Sequence, residues 1–248
     1  MTKNIKNGFT LAEALIAMAI VGVIAAITIP TVVSETQNGK LAASLGRNVE
    51  AIETGCQLVV QRVSEASVTD RDGVVSGIWE VNNGVNGVAS NNSNRLVNNN
   101  LFSDNTSEFF NTVPLTTTKK SEYVSLITNI NGAGQTTFNY SSDGWHFAVS
   151  SKLGAYYGYN GFSSSNVELP IGYVYIDVNA DKTPNRYGRD IFMFGLTDTC
   201  HMVPAGTSIL HIMNSNIPIE SDGCAGDNPS NGLSCTSRVV KNGYKIDY

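Results

Sequence analysis

Between Phe9 and Val33 the chain runs for 25 residues with one ionisable side chain, Glu13. About 20 apolar residues span the hydrocarbon core of a bilayer, so this stretch is long enough to cross one. It exceeds the ~7–15-residue apolar region of a secretory signal. Met1 to Gly8 precede it and carry Lys3 and Lys6 but no acid. Basic residues beside a span stay in the cytoplasm, which predicts a single pass with everything after Val33 outside. The chain as a whole has 15% charged residues and a formal net charge of -5. Its longest basic run is Lys119-Lys120. A surface built to neutralise phosphates needs the opposite balance, so nucleic acid is disfavoured as a partner.

The segment from Lys6 to Pro30 reads K-N-G-F-T-L-A-E-A-L-I-A-M-A-I-V-G-V-I-A-A-I-T-I-P. It resembles the N-terminus of type IV pilins and type II secretion pseudopilins. Those precursors carry a short basic leader ending in Gly, then Phe, then a Glu at the fifth position after the cut. Gly8 and Phe9 match the cleavage pair, Glu13 is the fifth residue counting from Phe9, and Pro30 falls where many members also have proline. The resemblance implies cleavage of the leader 1–8, N-methylation of Phe9, and assembly with copies of itself and related pilins. It also implies a prepilin peptidase, an inner-membrane assembly platform and an assembly ATPase as partners. The location it implies is the inner membrane with the head outside, then a cell-surface or periplasmic filament.

The residues support a physical reading alongside that resemblance. An acid inside a membrane helix is costly and marks function by default. After a cut at Gly8, the new Phe9 amine lies one helical turn from Glu13. In a staggered bundle of identical helices, the amine of one subunit can meet Glu13 of the next. Such a pair offsets both burial costs and fixes axial register. The alternative is a plain anchor with Glu13 near the cytoplasmic interface. Gly22 and Pro30 both weaken the helix, marking either a place where it bends or a harmless kink tolerated in a membrane.

Beyond Pro30, Leu41, Leu45, Val49, Ile52, Cys56, Val59 and Val63 recur at spacings of 4, 4, 3, 4, 3 and 4. That is the stripe of an amphipathic helix. Thr36, Lys40, Arg47, Glu50 and Arg62 lie off it. Phe9 to Val63 would reach about 80 Å if wholly helical, provided neither Gly39 nor Gly46 breaks it. The expected organisation is a leader at 1–8, a membrane or filament-core half at 9–33, an amphipathic half at 34–63 and a globular head at 64–248.

Val81 to Asn100 is Asn-rich and reads as a long surface loop. Leu101 to Asn111 suits a helix of two or three turns. Tyr123–Ile127, Thr136–Tyr140, Trp145–Val149, Gly172–Val178 and Ile191–Leu196 are rich in β-branched and aromatic residues and read as strands. Ser141 to Gly144 is a hairpin turn signal. A long helix followed by an antiparallel sheet is an α+β fold, the layout the resemblance also implies.

The segment 177–190, D-V-N-A-D-K-T-P-N-R-Y-G-R-D, is the candidate metal loop. Asp177, Asn179 and Asp181 alternate like the first half of a calcium loop. Lys182 and Gly188 stand where an EF-hand needs Gly and Glu, so the loop is not an EF-hand; Asn185 and Asp190 could complete a Ca²⁺ site instead. Some pseudopilins hold calcium between strands, which adds analogy. The competing reading is an Asx-rich turn whose carboxylates accept backbone amides or pair with Arg186 and Arg189.

Four cysteines in an exported head suit disulfides, and three complete pairings exist. Cys224 and Cys235 enclose a Gly/Asn/Pro-rich loop and form the favoured pair. Cys56 and Cys200 are either a second bond or, for Cys56, plain burial in the helix stripe. A zinc set of Cys200, His201, His211 and Cys224 matches no standard spacing. No nucleophile elbow, phosphate loop or zinc-protease motif occurs, and His146, His201 and His211 are scattered, so no enzyme is expected. The function expected is a structural filament subunit of the pilus or pseudopilus kind. The alternative is a singly anchored extracytoplasmic binding module that forms no filament. A DNA-binding pilin is opposed by the charge left after the leader: 14 basic against 21 acidic residues, net -7.

Overall fold

The computed structural model describes residues 10–67, 107–132, 145–161, 172–197, 199–213, 217, 219, 224 and 232–248. The chain divides into two compact units, Met1–Lys40 and Leu41–Tyr248.

Helix α1 runs unbroken from Leu11 to Ser67, with Pro30 inside it. In the first unit its apolar side chains face outward on all sides. From Leu11 to Val33 the large aliphatic residues are between 48% and 81% exposed. The threonines here satisfy their hydroxyls on the helix's own carbonyls: Thr28 donates to Ile24 O, Thr31 to Thr28 O and Thr36 to Val32 O. Such internal back-bonding removes the polar cost of a hydroxyl in an apolar surrounding.

In the second unit the predicted stripe is the buried face as far as Val59; the Val63 side chain lies outside the described residues. Leu45, Val49, Ile52, Cys56 and Val59 are buried and Leu41 packs at their edge. Lys40, Arg47 and Glu50 are exposed. Neither Gly39 nor Gly46 breaks the helix. Gly55 permits a close approach: a Cβ there would lie 2.6 Å from the Phe110 ring. Phe110 ends α2 (Ser107–Phe110), the one turn described from the expected helix 101–111; residues 101–106 lie outside the described residues.

The head is built on a six-stranded antiparallel sheet in the order β1-β2-β3-β4-β5-β6. The strands are β1 Thr112–Pro114, β2 His146–Ser150, β3 Tyr156–Gly161, β4 Gly172–Asp177, β5 Ile191–Leu196 and β6 Met202–Pro204. Both faces are covered. Tyr157, Tyr159, Val174, Ile176, Phe192 and Phe194 pack with the α1 stripe. Phe147, Tyr156, Tyr175, Ile191 and Met193 pack on the other face with Tyr123, Val124 and Ile127. Adjacent residues of β5 thus belong to opposite cores, the period-2 rule of a strand buried on both sides. The two edge strands, β1 and β6, are three residues long, and each ends in proline. Helices α4 (Ser208–Met213) and α5 (Cys235–Lys241) complete the described head.

One expected strand is a helix. Tyr123–Ile127 forms the end and cap of α3 (Thr117–Leu126), whose N-cap Thr116 accepts the Lys119 N–H. Its buried residues, Tyr123, Val124 and Ile127, share one helical face. A five-residue window of β-branched and aromatic side chains cannot separate that pattern from a buried strand. The strands expected at 145–149, 172–178 and 191–196 are present within a residue at each end. Thr136–Tyr140, the turn at 141–144 and the Asn-rich segment 81–100 lie outside the described residues.

Candidate functional site

The first turn of α1 is organised around Glu13. Thr10 is its N-cap and the two residues bond reciprocally. The Thr10 N–H donates to Glu13 Oε2 at 2.8 Å, the Thr10 hydroxyl donates to the same oxygen at 2.9 Å, and the Glu13 N–H donates back to Thr10 Oγ1 at 3.2 Å. This is a capping box. Sequence reading singled out Glu13 and missed Thr10, although the T-L-A-E spacing is the signal for that motif. Gly8 and Phe9 lie outside the described residues. The helix that follows is long and apolar enough to cross a membrane.

The 177–190 loop leaves β4 and returns into β5. Asp177 is fully buried; its Oδ2 accepts the Tyr123 hydroxyl at 2.8 Å and its Oδ1 accepts the Asn179 N–H at 3.1 Å. Asp190, also fully buried, accepts the N–H groups of Asn185 at 2.9 Å and Arg186 at 2.7 Å, one on each oxygen. The Asn179 side chain reaches Asp190 as well. Asp177, Asn179 and Asp190 therefore come together, and Asn185 joins through its backbone. Asp181 does not join: it faces the Tyr156 hydroxyl at 2.9 Å and Lys119 at 3.0 Å.

Burial, and then the neighbouring Asp190, hold the Asp177 carboxyl well above the usual range. Burial raises Asp190 too, against the opposing pull of the Arg186 and Asn185 amides. Among the described residues neither carboxylate forms an ion pair. Each of the four carboxylate oxygens accepts one protein donor, and Asp181 stands apart from the pair. Asn179 Oδ1 is buried without a partner, but one amide oxygen is not a ligand set. No group of three or more His, Cys, Asp or Glu is placed to hold a metal among the described residues.

The cysteines form two disulfides, Cys56–Cys200 and Cys224–Cys235, with Cα–Cα distances of 5.6 and 4.5 Å. The first ties the buried stripe of α1 to the turn between β5 and β6. Since no cysteine is free, the zinc set has no thiolate. His211 Nδ1 lies 2.7 Å from the Ile217 carbonyl, and His201 lies 4.0 Å from Glu53. Burial lowers the half-buried His146. The three imidazoles sit in different parts of the head: β2, the turn before β6, and α4.

A second buried polar contact fixes the helix on the sheet: Asn48 Oδ1 accepts the Tyr157 hydroxyl at 2.5 Å while its Nδ2 donates to Ser44 O at 2.7 Å. Sequence reading missed this pair because its members are 109 positions apart.

Comparison with known proteins gives one family match, the prokaryotic N-terminal methylation motif, over residues 3–29. No curated protein and no solved structure matches the chain significantly. The matched segment contains Gly8, Phe9, Thr10, Glu13 and the outward-facing apolar turns. Residues 3–29 are thus the signature of type IV pilins and pseudopilins, which implies a pilin-like protein processed by prepilin peptidase.

Proposed function

We propose that the chain is the subunit of a helical filament of the type IV pilus or type II secretion pseudopilus kind. In this reading the precursor sits in the inner membrane with its head outside. It is cut between Gly8 and Phe9, methylated at Phe9, and joins copies of itself and related pilins in a cell-surface or periplasmic filament. An inner-membrane platform and an assembly ATPase drive its extraction. Glu13 meets the Phe9 amine of a neighbouring subunit and sets the axial register.

One observation carries the reading. The helix bearing the methylation motif exposes apolar side chains around its whole circumference from Leu11 to Val33. Such a surface is stable only in lipid or against other apolar helices. An acid at a fixed place on it is explained by a partner charge better than by anchoring alone. For the loop 177–190 we propose a hydrogen-bonded brace between α3, β4 and β5 in place of a metal centre.

The N-terminal mass of the protein from its native membrane fraction tests the processing. The expected terminus is Phe9, heavier by one methyl substitution. An intact Met1, or a cut after Val33, would leave Glu13 without its amine and favour the singly anchored binding module. Glu13→Ala tests assembly: it should abolish or shorten filaments, and silence would refute the register role.

A further inference from the structure

We propose that Thr10 is a positioning residue for assembly: its hydroxyl holds the Glu13 carboxylate by one oxygen and leaves the other directed to the amine of a neighbouring subunit. This rests on the filament reading above. Both Thr10 donors, the N–H and the hydroxyl, converge on Oε2. Among the described residues Oε1 accepts no hydrogen bond. The Thr10 hydroxyl is used in both directions, donating to Oε2 and accepting the Glu13 N–H. The side chain is therefore locked to the first turn, while a carboxylate without this contact rotates about its own bonds.

Two consequences follow from that geometry. Before assembly, the box supplies two donors to an acid in an apolar segment, lowering the cost of holding it in the membrane. During assembly, the approaching amine finds an oxygen already oriented, so less side-chain freedom is lost on pairing. A hydroxyl that both donates and accepts is required. Serine meets that need; valine has the shape of threonine but neither function.

The test uses the full chain in cells that carry its prepilin peptidase and assembly machinery. The variants are Thr10→Val, Thr10→Ser, Glu13→Gln and the Thr10→Val/Glu13→Gln double. Filament yield and the N-terminal mass of the membrane pool are both read. Thr10→Val should lower the assembled fraction about tenfold to a hundredfold, the range of hydrogen bonds to charged groups. Its membrane pool should still begin at Phe9. Thr10→Ser should assemble within about twofold of the parent, and Thr10→Val should add nothing to Glu13→Gln.

Normal assembly of Thr10→Val beside a defective Glu13→Gln overturns the role of Thr10 and leaves the filament reading standing. Normal assembly of both, or of Glu13→Gln alone, overturns the register reading itself. Failure of serine to rescue, an uncut N-terminus in Thr10→Val, or an additive double variant each overturns the proposal, because each places Thr10 in some other role.

Discussion

The Cys56–Cys200 disulfide should contribute more to the head than its neighbour, and the difference can be worked from the chain. The bonds close segments with sequence separations of 144 and 11 residues. In the chain-entropy account a cross-link stabilises by restricting the unfolded ensemble, and the effect grows with the logarithm of the loop. For these two loops it gives about 5 and about 3 kcal/mol at room temperature. The loops do not overlap in sequence, so the two losses should add.

The perturbation is Cys56→Ala/Cys200→Ala against Cys224→Ala/Cys235→Ala, each in the full chain held in detergent. Trp145, buried at 3% exposure, reports unfolding of the head by fluorescence. With an m-value of ~2 kcal/mol per M urea, the longer loop should lower the midpoint by about 2.5 M. The shorter should lower it by about 1.5 M. Equal losses, or a larger loss from the short loop, would refute the entropic reasoning and place the stabilisation in local packing instead.

Raised carboxyls at Asp177 and Asp190 mean that the folded head binds more protons than the unfolded chain above the ordinary carboxyl range. By linkage their contribution to stability rises as pH falls toward the ordinary aspartate range and weakens as pH rises through their folded values. The urea midpoint of the parent should therefore gain from this pair on acidification from neutral pH, and the gain should shrink in Asp177→Asn; an undiminished gain in the variant would contradict the assignment. Millimolar Ca²⁺ or EDTA should leave the melting temperature unchanged, whereas a rise with calcium would show that the loop rearranges into a metal site. Gly55→Ala should destabilise the head by about 1–3 kcal/mol through its contact with Phe110, read by the same urea assay, and a neutral result would mean the ring moves freely. Burial keeps Tyr123 and Tyr159 protonated well above the ordinary phenol range, so the head should lose stability as pH rises through that range, where the unfolded phenols ionise first; constant stability there would argue that both phenols are solvated.

The N-terminal half of the story was open to reading because its signals are local. An uncharged run, a Gly-Phe junction and an acid five residues in are all contiguous, and the stripe from Leu41 to Val59 shows its period within two turns. Strands β4 and β5 were legible for the same reason. β3 was not: Y-Y-G-Y-N-G carries two glycines and lies between two covered faces, so neither composition nor alternation marks it. The site in the 177–190 loop was half legible. Its acids stand out, yet what occupies them is a phenol 54 residues upstream and amides exposed by the turn itself. The Cys56–Cys200 pairing likewise depends on the helix and the β5–β6 turn meeting, which no spacing encodes.

In the filament reading proposed above, the short, proline-ended strands at the two margins of the sheet, among the described residues, bear on how a subunit survives before it is used. Molecules waiting in a membrane are confined to two dimensions, with their heads at high local concentration and in the same orientation. A sheet with a long free margin would pair with its neighbour there, seeding a wrong polymer in competition with the right one. β1 and β6 offer three residues each, and Pro114 and Pro204 contribute no N–H to a new ladder. In that same reading, heads with such margins can collide repeatedly without joining, and polymerisation is left to the apolar helix.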